Sequence, residues 1–222
     1  MKLGLIGAQG KMGSQVMSIC LKESIELIPH ANNKNIQDKI RFTQDKTEIY
    51  THADVVIDFS VSAGALAHIE LAELHNKPIL ICTTGHKELD IFKNRKVPIC
   101  YAPNTSREWL LIKKCITKLF NNNQEAYISI DEVHSKTKLD SPSGTAKQLI
   151  QDLGGTINSI RSIRAGNLTS WHKVFIMDSN QVIEFNHQVL DRKLYAKGAI
   201  ELAKLLLNKS PGYYSAEDLF QI

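Results

Sequence analysis

The sequence predicts an α/β protein in which a parallel-sheet domain comes first and a C-terminal α+β domain with a mixed sheet follows. Three observations predict this fold class. From residue 2 to residue 101, short apolar runs alternate with helix-like segments, which is typical of a doubly wound parallel sheet. The first apolar run leads into a glycine-rich turn, GLIGAQGKMG. After residue 158, three strand-like runs follow one another without a helix between them, which favours a mixed or antiparallel sheet.

The first half is predicted to alternate strands with helices. Ala53–Phe59 is a continuous apolar run, as expected for a strand that is covered on both faces. Lys11–Lys22 has apolar residues at helical spacing, at positions 12, 16, 17 and 20, and is predicted to be a helix. The other strands are expected at Lys2–Gly7, Ile25–His30, Pro78–Cys82 and Val97–Tyr101, and the other helices at Ala63–His75 and His86–Asn94.

The second half is predicted to hold a smaller sheet and a long C-terminal helix. Strands are expected at Glu125–Glu132, Ile160–Ala165, Trp171–Met177 and Gln181–Asn186, helices at Trp109–Asn121, Ser143–Leu153 and Leu194–Asn208, and a Pro-Gly turn at 211–212. We therefore expect a first domain over residues 1–103, rejoined by residues 194–222, and a second domain over residues 104–193.

Composition and charge narrow the possible function classes. The 222 residues carry a net charge of +4 without an isolated run of Lys and Arg, so no nucleic-acid partner is expected. No segment reaches the ~18 apolar residues of a membrane span, and the N-terminal apolar run is too short for a signal peptide. A soluble, cytoplasmic protein is therefore expected. The four cysteines form no CxxC pair and the histidines show no HxH or HExxH spacing, so no metal site is expected.

Three glycines follow the first predicted strand and open the first predicted helix. Gly7, Gly10 and Gly13 are spaced as G-x-x-G-x-x-G, and a turn of this kind lets the backbone approach a pyrophosphate at a helix N-terminus. A plain tight turn is the alternative interpretation. The strand-turn-helix context favours a Rossmann-type dinucleotide-binding domain.

The choice between NADPH and NADH depends on the end of the second predicted strand. An acid there would bond the ribose 2′-OH and repel a 2′-phosphate, but the sequence reads HANNKN, with Asn32 and Lys34 and no acid. The absence of an acid, with Lys34 and Lys11 nearby, tolerates or favours NADPH. A solvated loop with an incidental lysine is the alternative, and Asn can also bond a 2′-OH, so both cofactors stay open.

Two further polar stretches end predicted strands, where such folds bind their ligands. They are 58-DFSVS-62 and 82-CTTGH-86. Each alone is more typical of a helix cap or a turn than of a cofactor contact. Their shared position at the strand ends favours the cofactor.

The stretch 131-DEVHSKTKLDSPSGTAKQL-149 gathers cations before a Ser-Gly-Thr turn. His134, Lys136 and Lys138 alternate and would share one face of an extended chain. Two cations beside a helix N-terminus would bind carboxylates, and a histidine can move a proton near neutral pH. A solvated basic strand edge with a Ser/Thr helix cap is the alternative that the residues alone leave open.

The same stretch resembles the dihydrodipicolinate reductase (4-hydroxy-tetrahydrodipicolinate reductase) family, whose motif is E-x-H-H-x-x-K-x-D-[AS]-P-S-G-T-A. Glu132, His134, Lys138 and the run 140–146 match it. Other family-like pieces lie in order around it, and the resemblance covers essentially the whole chain: GAQGKMG, DFS, TTG, APNTS, RAG, WHKVF and DRKLYAKGAI.

The resemblance implies an oxidoreductase of the diaminopimelate and lysine pathway that reduces a small dianionic substrate with NADPH or NADH. It implies that His134 donates or accepts a proton, that Lys138 is the general acid, and that Gly144 and Thr145 hold a substrate carboxylate. The implied cofactor contacts are Gly7, Ala8, Gln9, Gly10, Lys11, Met12, Cys82, Thr83, Thr84, Pro103, Asn104, Thr105 and Ser106. The second domain would bind substrate and form a homotetramer.

Several residues depart from the family pattern. Ser135 stands where the family has a second His that contacts substrate, so this contact is weakened or rebuilt by Lys136. The other departures are Ser62, Cys82, Glu108 and the run 170–172. A catalytically weakened nucleotide-binding regulatory homologue is therefore the alternative function. Arg164 is left open between a surface salt bridge and an anion contact.

Overall fold

The computed structural model describes residues 1–31, 42–86 and 90–222. These residues form two compact units, one from Met1–Ser106 and Lys193–Ile222 and the other from Arg107–Arg192. The first unit contains a six-stranded parallel sheet and the second a four-stranded mixed sheet. The predicted fold class is therefore confirmed.

The sheet of the first unit has the strand order β10-β5-β4-β3-β1-β2. Its strands are β1 (Lys2–Ile6), β2 (Glu26–Pro29), β3 (Val55–Asp58), β4 (Ile79–Ile81), β5 (Pro98–Tyr101) and β10 (Gly212–Ser215). The helices of this unit are α1 (Lys11–Lys22), α2 (Lys46–His52), α3 (Ala65–Leu74), α6 (Lys193–Leu206) and α7 (Ala216–Phe220). The order reverses between β1 and β3, which is where open parallel sheets bind their ligands.

Burial explains why the apolar runs of this unit form strands. Every residue of β3 and β4 is buried, as expected for strands with helices on both faces. Helix α6 returns from the second unit and packs closely on the chain that follows β5. A Cβ on Gly198 would lie 1.8 Å from the Thr105 carbonyl oxygen, so only glycine allows this approach.

The second unit contains the sheet β7-β6-β8-β9. Its strands are β6 (Tyr127–His134), β7 (Ser159–Arg164), β8 (Ser170–Met177) and β9 (Val182–Val189), and its helices are α4 (Arg107–Asn122) and α5 (Gly144–Asp152). Strands β6 and β7 are parallel, whereas β6–β8 and β8–β9 are antiparallel. Alternate residues of β6 and β8 are buried, so one sheet face supplies the core of this unit.

Four short elements differ from the sequence prediction. Helix α2 was not predicted, because its seven residues are too few to show helical periodicity; Asp45 caps it by accepting from the Thr47 N–H. Where only a Pro-Gly turn was predicted, the chain adds β10 and then α7, which begins with a capping box of Ser215 and Asp218. The predicted helix His86–Asn94 is a single 3₁₀ turn at Asp90–Phe92 in its described part. None of the helices in the described ranges has the length and hydrophobicity that spanning a membrane requires.

Candidate functional site

The glycine turn lies between β1 and α1 and leaves the helix start open. Gly7 has φ +79°, and its Cβ would lie 2.7 Å from the Phe59 main chain after β3. A Cβ on Gly13 would clash with the Gly7 carbonyl oxygen at 2.2 Å, whereas a Cβ on Gly10 would meet only that oxygen, at 3.2 Å. Gly10 is the N-cap of α1, and no side chain caps it. The first N–H groups of α1 are therefore available for an anion such as a pyrophosphate.

The tip of β3, at the start of the stretch 58-DFSVS-62, contains a buried acid for which no role was predicted. Asp58 is fully buried; its carboxylate accepts from the Ser60 N–H at 2.8 Å and lies 2.7 Å from His68 Nδ1. The other ring nitrogen of His68 lies 2.9 Å from Lys46 Nζ. This chain of contacts fixes the backbone against which Gly7 packs. The feature of the sequence that could have indicated this buried acid is its position at the end of an apolar run.

The tips of β4 and β5 lie on the same edge of the parallel sheet. Thr83 is buried and its Oγ1 lies 2.7 Å from His86 Nε2, while Thr84 is exposed. Burial raises the pKa of the Cys82 thiol well above its ordinary value. Asn104 Oδ1 accepts from the Ser106 N–H at 3.0 Å, and the Thr105 hydroxyl donates to the Tyr195 carbonyl oxygen at 2.7 Å.

These positions separate into exposed and buried cofactor candidates. Gln9, Gly10, Lys11 and Thr84 are exposed, Gly7, Met12, Pro103 and Asn104 are half-buried, and Ala8, Cys82, Thr83, Thr105 and Ser106 are buried. The Thr105 hydroxyl serves the packing of α6, and cofactor contact by this residue stays a prediction. Asn32 and Lys34 lie outside the described residues.

The cationic stretch of the second unit bends immediately after β6. The prediction that His134, Lys136 and Lys138 share the face of an extended chain is wrong, because the Lys138 N–H donates to the Ser135 carbonyl oxygen at 3.0 Å. This i to i+3 bond closes a β-turn. His134 is 6% exposed at the end of β6, Lys138 is half-buried after the turn, and Lys136 is exposed. Ser135 Oγ lies 3.0 Å from Thr137 Oγ1.

The Lys138 ammonium and the start of α5 share one carboxylate. Lys138 Nζ lies 2.7 Å from Asp140 Oδ1. Burial raises the pKa of the Asp140 carboxyl, but hydrogen bonds from Lys138 and from the Gly144 main chain outweigh burial, so the pKa is lowered. A Cβ on Gly144 would have open space around it. The predicted carboxylate site thus already contacts a carboxylate of the protein itself.

A second carboxylate, that of Glu132, lies in the interior of the second unit. It is fully buried on β6 and faces His172, its cross-strand partner on β8. The Ser143 N–H donates to both of its oxygens, at 3.0 and 3.2 Å, and Arg164 Nη2 donates at 2.9 Å. Arg164 is therefore the half-buried partner of a buried acid rather than part of a surface salt bridge.

These contacts determine the charge states of Glu132 and His134. Burial raises the pKa of Glu132, but the contact with His172 and the hydrogen bonds from Ser143 and Arg164 outweigh burial, so the pKa is well below its ordinary value. Burial, followed by the electrostatic influence of His172, lowers the pKa of His134 to about 4, although Glu132 opposes the shift. His134 is therefore neutral near pH 7, and its Nδ1 has no hydrogen-bond partner within the described parts of the chain.

Glu132, His134 and His172 also offer three ligand atoms within 4.8 Å of one another. Zinc binds such donors, and sequence spacing could not reveal the group because two strands contribute it. Arg164 and the Ser143 N–H already compensate the Glu132 carboxylate. A divalent ion would leave the buried group with excess positive charge, so the trio fits an internal hydrogen-bond network better than a resident metal.

Comparison with known proteins assigns both units to the same protein family. The family described as dihydrodipicolinate reductase, N-terminus, matches residues 1–105, and its C-terminus counterpart matches residues 110–220. The 4-hydroxy-tetrahydrodipicolinate reductase of Pelagibacter ubique is 31% identical and that of Brachyspira hyodysenteriae 30% identical. The alignments cover 98% and 93% of this chain, respectively, and 96% of each relative.

A solved structure supports the same fold. Dipicolinate-bound dihydrodipicolinate reductase from Paenisporosarcina sp. TG-14 superposes with a TM-score of 0.79 at 17% identity, over 98% of both chains. Two family matches cover both sheets, and curated relatives align with nearly the whole sequence. The chain therefore belongs to the dihydrodipicolinate reductase family of oxidoreductases.

Proposed function

We propose that the protein reduces 4-hydroxy-tetrahydrodipicolinate to tetrahydrodipicolinate with NADPH or NADH, in the diaminopimelate branch of lysine synthesis. Relatives of this name at about 30% identity support the reductase role. The observation that carries the substrate class is the Asp140 carboxylate, which contacts the Lys138 ammonium and the Gly144 main chain together. A site that accepts an internal carboxylate suits a small dianionic substrate.

The first unit has the features that a nicotinamide dinucleotide requires. The open N-terminus of α1 at Gly10 would bind the pyrophosphate, and Lys11 adds positive charge beside it. Thr83 and Thr84, with the segment 103–106, would line the cofactor towards the nicotinamide. A bound reduced nicotinamide supplies a hydride to the substrate. Comparison of kcat/KM for the two cofactors measures the preference between NADPH and NADH.

The second unit would hold the substrate through its carboxylates. The start of α5 at Gly144 and Thr145 attracts an anion through the helix dipole. The Lys138 ammonium adds a charge-assisted contact. Ser135 would line the same site in place of the second histidine of the family, and exposed Lys136 would supply additional positive charge.

Lys138 would also provide the proton. Loss of water from the 4-hydroxy substrate gives a conjugated cyclic imine, and hydride addition at C4 of that imine leaves an enamine-like carbanion, which must be protonated. His134 is neutral near pH 7 because burial lowers its pKa to about 4. It can therefore orient the substrate by hydrogen bonding, whereas the Lys138 ammonium carries a proton that it can donate. The homotetramer that the resemblance implies and the cytoplasmic location expected from the sequence belong to the same proposal.

The proposal is tested by mixing the purified protein with freshly generated 4-hydroxy-tetrahydrodipicolinate and following the absorbance of NADPH and of NADH. We expect substrate-dependent oxidation of at least one cofactor, and the two kcat/KM values give the preference. If neither cofactor is oxidised, the reductase assignment is wrong. Nucleotide binding without turnover would then support the alternative, a catalytically weakened regulatory homologue.

A further inference from the structure

The Glu132 carboxylate contacts groups from three other segments of the second unit. It lies on β6, two residues before His134, and is fully buried. It accepts from the Ser143 N–H before α5 and from Arg164 on β7, and lies 3.6 Å from His172 Nε2 on β8. The segments that carry the proposed proton donor and carboxylate site therefore meet at this acid.

The first of these contacts acts directly on the carboxylate site. Ser143 immediately precedes Gly144 and Thr145, and its main-chain N–H donates to both Glu132 oxygens at 3.0 and 3.2 Å. A main-chain group cannot move by side-chain rotation, so this bond fixes the start of α5 relative to β6. The Ser143 hydroxyl accepts from the Ala146 N–H at 3.2 Å and completes the helix cap.

The second contact acts through Arg164 on the segment that carries Lys138. Arg164 Nη2 donates to Glu132 Oε1 at 2.9 Å and also to the Asp140 carbonyl oxygen. The Asp140 side chain in turn contacts Lys138 Nζ at 2.7 Å. A guanidinium can bridge two acceptors with fixed geometry, which a lysine ammonium cannot reproduce.

We infer that Glu132 is a positioning residue for the reaction: it holds the carboxylate site through Ser143 and the Lys138 segment through Arg164. This inference rests on the proposed reductase function. The competing explanation is that Glu132 only balances the charge of the half-buried Arg164. The two explanations differ in what happens when both charges are removed together.

The chain provides a matched control pair on the same two strands. Asp131 immediately precedes Glu132 on β6 and forms an ion pair with the exposed Arg161 on β7. Glu132→Gln is therefore compared with Asp131→Asn. We expect Glu132→Gln to lower kcat on the order of 10- to 100-fold, because small displacements of reacting groups have effects of that size. The KM for NAD(P)H should stay within about twofold of wild type, since the glycine turn lies in the first unit.

A double variant separates positioning from charge balance. Glu132→Gln alone leaves the half-buried Arg164 without its acid, so the melting temperature of the variant should fall. In Glu132→Gln/Arg164→Met no unpaired charge remains, and the melting temperature should recover. Positioning predicts that kcat stays low in the double variant, because the bond from Arg164 to Asp140 is absent. Recovery of kcat together with the melting temperature would overturn the inference.

A milder substitution covers the case in which Glu132→Gln does not fold. Arg164→Lys keeps the charge but loses the bridge, and its control is Arg161→Lys. We expect a lower kcat for Arg164→Lys alone. Equal kcat values for this variant and its control would also overturn the inference.

Binding of pyridine-2,6-dicarboxylate gives a readout that does not depend on turnover. Its stabilisation of the wild type, measured as a shift in melting temperature, should be smaller in Glu132→Gln than in Asp131→Asn. An equal shift in both variants contradicts positioning of the carboxylate site. If wild type oxidises neither cofactor, the reductase function has failed; if wild type is active but variants and controls agree, only the positioning role has failed.

Discussion

The Lys138 ammonium lies 2.7 Å from the Asp140 carboxylate, so the proposed proton donor is already paired with an acid of its own segment. A substrate carboxylate that binds there must share Lys138 with Asp140 or displace it. We expect Asp140→Asn to remove this competition and to lower the substrate KM about 2- to 5-fold, as for an exposed ion pair. Steady-state kinetics measure it. A raised KM would mean that Asp140 helps to bind the substrate.

Loss of the proton donor should affect kcat more than binding. In Lys138→Ala, kcat should fall by about 10²- to 10⁴-fold, the usual contribution of a positioned acid. Lys114→Ala, which removes an exposed lysine of α4 in the same unit, is the control and should match wild type. Unchanged kcat in Lys138→Ala would refute its role as the acid.

The neutral state of His134 should make stability depend on pH. Its pKa is lowered from an ordinary 6.5 to about 4 in the folded protein, chiefly by burial. Between these values the unfolded chain binds the proton more strongly, so stability decreases as pH falls from about 6.5 to 4, by about 2–3 kcal/mol from this group.

Urea unfolding of wild type and His134→Gln at pH 7 and at pH 4.5 tests this effect. Other titrating groups contribute equally to both proteins, so the difference between them isolates His134. The variant should lose less stability on acidification. An identical loss in both proteins would show that His134 is not held neutral by the fold.

The glycine turn offers two substitutions with different outcomes. Gly13→Ala would bring its Cβ within 2.2 Å of the Gly7 carbonyl oxygen, so the turn itself should be disrupted. Gly10→Ala meets only that oxygen, at 3.2 Å, so the fold should persist while the Kd for NAD(P)H rises about tenfold, or ~1.4 kcal/mol. Cofactor fluorescence titration gives the Kd. Equal affinities for Gly10→Ala and wild type would contradict pyrophosphate binding at this turn.

Removal of divalent ions should leave the activity unchanged. Arg164 and the Ser143 N–H already compensate Glu132 in the Glu132–His134–His172 group. Assays after exhaustive dialysis against a chelator, with and without added zinc, measure the effect. Activity that is lost on dialysis and restored by zinc would identify a metal site in this group.

The sequence predicted the parts of the structure that depend on local pattern. Apolar runs marked the strands of the parallel sheet, and glycine spacing marked the turn before α1. The site beneath β6 could not be predicted, since Glu132 faces His172 through the antiparallel register of β6 and β8. The register depends on how strands that are distant in the sequence pair with each other. A single sequence does not show this pairing. The bend after His134 was missed because alternation of charges suggested an extended chain.

The close packing of Gly198 against Thr105 has a consequence for the chain as a whole. The chain leaves the first unit after Ser106 and returns at Lys193, and the Thr105 hydroxyl donates to the Tyr195 carbonyl oxygen at 2.7 Å. The exit and the re-entry are thus fastened to each other inside the first unit. The second unit is therefore an insertion between two tethered ends, and we expect its residues to be replaceable without loss of the six-stranded sheet.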